Sequence, residues 1–273
     1  TPDDPWIGVT RAPVGVNSAF ALTYDAQRNR ALLVGGVLER TMETWWWDNV
    51  EGWQHADPQH HPDPRAGFGL AFHAATATTL LSGGSVPAGG GGVCPDGTQP
   101  SLTGICNPVR SWTFDGVDWT AHDGGVQPPG RENPVLAYDP TRQQAVLFGG
   151  LRSEGTDAGV VLQDTWTFDG VTWTNQPIAP FDAPPPRTQS AAAFHAQRGV
   201  VTMFGGGALL ENGVCPAGTT GNAAEKCSYQ DRWDWNGVEW LYGGEPPNTP
   251  GPRAQHAMVA APSPVASSPS AAN

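Results

Sequence analysis

The sequence predicts an all-β chain of four-stranded sheets set radially around an axis, a β-propeller. Three observations predict it. Pro-rich breaks followed by Arg recur at Arg11, Arg65, Arg131, Arg187 and Arg253, with intervals of 54, 66, 56 and 66 residues. Each interval holds four short apolar or aromatic runs, with Gly-Gly after the second and a Trp in the fourth. No segment reads as an amphipathic helix. A four-stranded sheet cannot bury both faces alone, whereas neighbours stacked around a ring bury them and hide the edges.

The units alternate in kind. Units one and three share Tyr24-Asp25 and Tyr138-Asp139, while units two and four share Phe72-His73 and Phe194-His195 and alone carry cysteines. The true period is a pair of units, about 120 residues, present twice.

Unit three sets the pattern. After Arg131 a first apolar run ends at Tyr138-Asp139, Pro140 opens a turn, and Ala145 to Phe148 is a second run closed by Gly149-Gly150. A polar loop leads to Asp164. Thr165 to Phe168 then alternates apolar and polar residues, with the period of a strand. Asp169-Gly170 is a hairpin signal, and Val171-Thr-Trp173-Thr reads as the fourth strand before Pro177 to Pro186 breaks the chain. Unit two repeats this at Ala71-Phe72, Leu80-Leu81, Ser111 to Phe114 and Val117 to Trp119. Unit four does so at Ala192 to Phe194, Val200 to Phe204, Arg232 to Trp235 and Val238 to Trp240. In unit one the runs are Phe20 to Leu22, Ala31 to Val34, Thr44 to Trp47 and Val50 to Trp53, with one extra turn residue. The double Gly is expected to end a strand where a side chain would strike the next sheet, and to permit positive φ.

Residues 1–262 are expected to form the propeller and 263–273 a low-complexity Pro/Ser/Ala tail. Four complete repeats leave unpaired terminal strands, one at 5–10 and one at 253–262, giving about five blade positions. These ends could pack irregularly, take a partner that assembles through them, or belong to a longer propeller.

Composition narrows the function. The formal net charge of −12 repels phosphate backbones and anionic lipid, so nucleic acid is not an expected partner. Acidity fits plain solubility, or a cationic ligand or bound structural Ca²⁺. No other cofactor and no metal site is expected. There is no run of eighteen apolar residues, so no membrane insertion is expected. Thr1 reads as the start of a mature or trimmed chain.

Cys94/Cys106 and Cys215/Cys227 are each 12 apart, offset by 121, and both pairs open with Gly-Val-Cys-Pro. A pair repeated with its spacing argues for one disulfide inside each loop. Zinc would want shorter spacings and His ligands. Disulfides place the chain outside the cytosol, extracellular or periplasmic.

With Gly35-Gly36, Gly83-Gly84, Gly149-Gly150 and Gly205-Gly206 in register with Trp53, Trp119, Trp173 and Trp240 and five Pro-Arg-like breaks, the chain resembles the kelch-repeat family over residues 11 to about 262. The resemblance implies that the strand after each Arg is innermost, and that the Arg links share one face with the loops after Gly-Gly. It would bring Arg65, Arg131, Arg187 and Arg253 to the channel mouth, where kelch domains that bind acidic peptides use arginines. The alternative is that each Arg fixes its link through a carbonyl or a neighbouring Asp.

Other candidates follow. The long stapled loops are natural recognition elements on a rigid scaffold. Trp46, in Trp45-Trp46-Trp47, is a candidate for stacking on a sugar ring, or for core. His73 and His195 more simply close hairpins than share a metal, and His55, His60 and His61 lie in a Pro-rich link. A kelch-type copper oxidase would need a Tyr cross-linked to Cys, which two disulfides leave no thiol to make. No catalytic residue is legible. The expected function is a secreted, non-catalytic binding or scaffold module that recognises a glycan or protein on the loop face. The alternatives are a propeller enzyme acting on carbohydrate, or a structural subunit of an extracellular assembly.

Overall fold

The computed structural model describes residues 19–35, 42–88, 94, 96–100, 104–153, 159–210, 214–221, 227–244 and 250–260. Arg11, the strand expected at 5–10 and the tail at 263–273 lie outside the described residues.

The described chain is all-β, dominated by four antiparallel sheets in chain order, three of four strands and the second of six. The first is β1 (Phe20–Asp25), β2 (Arg30–Gly35), β3 (Glu43–Asp48) and β4 (Gly52–Ala56). The second contains β5 (Ala66–His73) and β6 (Thr78–Pro87). Its long loop carries β7 (Thr98–Pro100) and β8 (Ile105–Pro108), and β9 (Ser111–Phe114) and β10 (Trp119–His122) complete it. The third has β11 (Val135–Asp139), β12 (Gln144–Phe148), the short pair β13 (Leu151–Arg152) and β14 (Val160–Val161), then β15 (Thr165–Phe168) and β16 (Trp173–Gln176). The fourth has β17 (Ala191–His195) and β18 (Val200–Phe204), a loop with β19 (Gly207–Ala208), β20 (Thr219–Gly221) and β21 (Cys227–Tyr229), then β22 (Arg232–Trp235) and β23 (Trp240–Tyr242).

Strand alternation explains how each inner sheet is covered twice. On β12, Val146 and Phe148 pack with Val201, Met203 and Trp240 of the fourth sheet, while Ala145 and Leu147 join Leu80 of the second. On β6, Leu81 faces the first sheet and Leu80 the third. One apolar cluster therefore fills each of the three sheet boundaries. The first strands β1, β5, β11 and β17 lie side by side in that order.

The fourth strands begin later than the sequence suggests. Val117, Val171 and Val238 sit at turn tips, 71–80% exposed, and the strands start at Trp119, Trp173 and Trp240. The cause is local. Oδ1 of Asp115, Asp169 and Asn236 accepts the amides two and three residues on, so those residues are held in the turn. Asp48 does the same for Val50 and Glu51. A second difference is that β6 runs through Gly83-Gly84 to Pro87, because Val86 and Pro87 pair with Cys106 and Ile105 of the stapled loop.

Candidate functional site

The links and the long loops share one face. Glu132 bridges Leu151 and Thr188 bridges Gly207, so each link lies against the loop that follows the Gly-Gly of its own sheet. Both disulfides stand on that face, Cys94–Cys106 and Cys215–Cys227. Each ties a small three-stranded sheet, the end of β6 with β8 and β7 in one loop and β19-β21-β20 in the other. No cysteine is free.

Arg65, Arg131 and Arg187 are buried, 1% exposed each. Their Nε atoms donate to the carbonyls of Asp63, Pro129 and Pro185 (3.0–3.1 Å). Their Nη1 atoms donate to Gly83, Gly149 and Gly205, the first glycine of each Gly-Gly (3.0–3.2 Å). In the third and fourth sheets the fork closes on a carboxylate. Arg131 meets Asp164 at 2.6 and 2.7 Å, and Arg187 meets Asp231 at 2.6 and 2.9 Å. Burial alone would raise the Asp164 carboxyl; the Arg131 guanidinium outweighs it and holds that carboxyl below its ordinary value. Arg187 also lies 3.9 Å over the Tyr229 ring. These three arginines fix links, which leaves Arg253, exposed and bonded through Nε to Gly251, as the one presented on the surface.

The residue two places after each Arg forms a series of its own. Gly67, Asn133, Gln189 and Gln255 all have positive φ, between 51° and 64°. They are joined link to link, because Asn133 N donates to Gly67 O (2.6 Å), Gln189 N to Asn133 O (3.0 Å) and Gln255 N to Gln189 O (3.0 Å). Three non-glycine residues held in the left-handed region at one place are worth noting, since surrounding contacts must impose that conformation. Their signal in the sequence is an Arg-x-Gly/Asn/Gln series at fixed offset, too common locally to stand apart from the arginines.

Beside this arc, on the fourth sheet, is a groove of about 390 Å³ lined by Thr188, Gln189, Leu209, Ser228, Arg253 and Gln255, among others. Its wall includes Cys227, so the second disulfide is part of its frame. A second cavity, about 320 Å³, is lined by Phe204, Arg232, Arg253 and His256. Burial, with the Arg253 charge next, lowers the pKa of His256. Between the first strands lies a third cavity of about 390 Å³. Thr23, Ala71, Ala137 and Ala193 line it, as do Val259 and Ala260 of the last described segment.

The other sequence candidates are dispersed. Trp46 is half-buried against the first core cluster and Arg30 covers its ring at 4.6 Å, so that face is already occupied. Trp45 packs tilted against His55, 4.5 Å between ring centroids, and donates to Glu43. His73 is buried against Tyr138 (4.7 Å between rings) and bonded to Thr76, while His195 is exposed. Burial pushes His73 below the ordinary imidazole pKa. His60 binds Asp118 at 2.7 Å, and that hydrogen bond leads the effects holding the Asp118 carboxyl at about 2.

No family model matches the chain. A stretch of 105 residues, 38% of the chain, is 34% identical to dynein regulatory complex subunit 7 of Chlamydomonas reinhardtii, and it spans only 8% of that protein's length. Among solved structures, YjhT has a TM-score of 0.42 and 13% identity, covering 90% of this chain and 89% of that one. A copper-bound fungal alcohol oxidase of the AA5 family has a TM-score of 0.43 and 13% identity, covering 77% of this chain and 40% of that one.

Proposed function

We propose that the chain is a kelch-type β-propeller, secreted, whose function is non-catalytic recognition of a glycan on the link-and-loop face. The single observation that carries this is the arc of Asn133, Gln189 and Gln255 beside the disulfide-framed groove. A carboxamide offers two N–H donors and a carbonyl acceptor, which matches neutral hydroxyls that both give and accept hydrogen bonds. The arginines that would favour an acidic peptide are buried and bonded at three of four positions. The radial arrangement is supported by the side-by-side first strands and the apolar cluster at each sheet boundary. Two disulfides support an oxidising compartment. The test is a glycan array probed with the full chain, followed by calorimetry on any hit with Gln189→Ala and Gln255→Ala. Retention of a glycan that both variants lose supports the reading. An array with no glycan above background overturns it.

A structural role in an assembly is the second reading, favoured by one face of β1. There Phe20, Leu22 and Tyr24 are 55–59% exposed, although the matching residues Leu70 and Leu136 of β5 and β11 pack into boundary clusters. Solution mass settles between the two: a monodisperse monomer at high concentration removes the assembly.

A further inference from the structure

We propose that the second sheet binds a small inorganic anion of the chloride class between Arg65 and Trp112.

The argument begins with a repeated constellation. The residue two before the first Trp of each third strand is Glu43, Arg110, Asp164 and Asp231 in sheets one to four. In the third sheet a single oxygen, Asp164 Oδ2, accepts from Arg131 Nη2 (2.7 Å) and from Trp166 Nε1 (2.7 Å). In the fourth, Asp231 Oδ2 accepts from Arg187 Nη2 (2.9 Å) and Trp233 Nε1 (2.7 Å). The first sheet keeps the indole half of the pattern, with Trp45 Nε1 donating to Glu43 at 2.9 Å. The second sheet alone places an arginine where the carboxylate belongs.

The consequence is visible in the same two donor atoms. Arg65 Nη2 and Trp112 Nε1 are both buried and have no hydrogen-bond partner among the described residues. Arg65 side chain is 0% exposed and Trp112 8%. Arg110 pairs outward with Asp123 and gives Arg65 only its carbonyl, at 3.2 Å from Nη1. The nearest carboxylate to Arg65 Nη2 is Asp63 at 3.5 Å, whose side chain is 55% exposed. Leaving a buried guanidinium N–H and an indole N–H unmet costs the desolvation of each. Burial first, with Arg110 adding repulsion against the help of Asp63, lowers the Arg65 pKa to about 10. Its counterpart sheets meet the same two donors with one anionic oxygen. An anion of about that size, accepting from both N–H groups, restores the constellation. Water accepts from both donors as well but brings no charge to the buried Arg65 guanidinium, whose only carboxylate neighbour among the described residues is the exposed Asp63.

The test uses the full chain and sodium chloride as the probe. Thermal unfolding is followed over a chloride titration at constant ionic strength, with isethionate as the replacing anion, and excess ³⁵Cl line broadening is measured in parallel. Wild type is expected to show a saturable rise of about 2–4 °C, with excess broadening. Arg110→Asp rebuilds the carboxylate of the third and fourth sheets, so it is expected to raise the melting temperature without chloride and abolish both responses. Trp112→Phe removes one N–H while keeping an aromatic ring, and is expected to weaken chloride binding at least tenfold. The proposal is overturned by a wild type with no chloride-specific shift and no excess broadening. A response retained in full by Arg110→Asp or Trp112→Phe overturns it too. Neither readout involves a glycan, so its failure would leave the proposed function standing.

Discussion

Trp119 Nε1 donates to Thr44 Oγ1 at 2.9 Å, across the boundary between the second sheet and the first. Trp173 repeats the bond to Ser111 (3.2 Å) and Trp240 to Thr165 (3.0 Å). In each case the Trp opening a fourth strand reaches the residue just before the first Trp of the preceding sheet's third strand. The ring fills the boundary and the N–H donates to a buried hydroxyl there. The series stops at Arg232, which holds the matching position in the fourth sheet and offers no acceptor.

Trp173 separates those two contributions. Trp173→Phe keeps most of the packing against Phe168 and loses the bond to Ser111, whose hydroxyl still contacts Ser82. It is expected to cost about 1–2 kcal/mol, the hydrogen bond plus a small loss of volume. Trp173→Ala empties the boundary and is expected to cost about 3–5 kcal/mol. Urea unfolding of the two variants distinguishes them; equal losses would mean that packing contributes nothing beyond the bond.

Asp164 is the third sheet's answer to a buried guanidinium. Asp164→Asn keeps the shape and removes the charge that Arg131 and Trp166 both address. Breaking a buried pair by removing one partner leaves the other uncompensated, so a loss of about 3 kcal/mol is expected. The pH dependence has a definite sign. The folded carboxyl lies below its ordinary value of 3.8, so its contribution is present above that pH and is lost as pH falls through the lower folded value. Unfolding free energy of the wild type should therefore drop more steeply below pH 4 than that of Asp164→Asn. Parallel curves for the two proteins would contradict the assignment.

The sheets were legible because their signals are local. Alternation in Thr165 to Phe168, the Asp-Gly turns and the Gly-Gly ends each depend on a few neighbouring residues, and the matching strands are present in the structure. The disulfide pairing was legible from repetition. What the residues could not reveal was direction. Arg131 reads as either a channel-mouth cation or a link-fixing one until the carboxylate of Asp164, 33 residues on, is found folded against it. Likewise, Asn133 and Gln189 look like ordinary link residues. Their left-handed backbone and mutual hydrogen bond arise only when successive links are brought together. Val171 was misread as strand because its apolar character outweighed the capture of its amide by Asp169.

Gly149 shows how the sheet-to-sheet join is made, and it supplies a last prediction. Its φ is +64°, and a Cβ there would lie 2.5 Å from the carbonyl oxygen of Arg187. Gly83 and Gly205 meet the carbonyls of Arg131 and Arg253 in the same way, at 2.7 and 2.6 Å. The second glycine then donates its amide to that carbonyl, as Gly150 does to Arg187 at 2.9 Å. The double Gly is therefore the socket for the next sheet's link, and its conformation and its clearance are both required. Gly149→Ala brings a left-handed penalty of about 1 kcal/mol and pushes on backbone that cannot swing aside, so a total loss of at least about 2–3 kcal/mol is expected. Gly199 is the control, since it has φ +62° and nothing within 4 Å of an added Cβ. Gly199→Ala should cost only the conformational part. Denaturant unfolding of both variants tests the socket, and equal losses at the two sites would show that clearance against Arg187 plays no part.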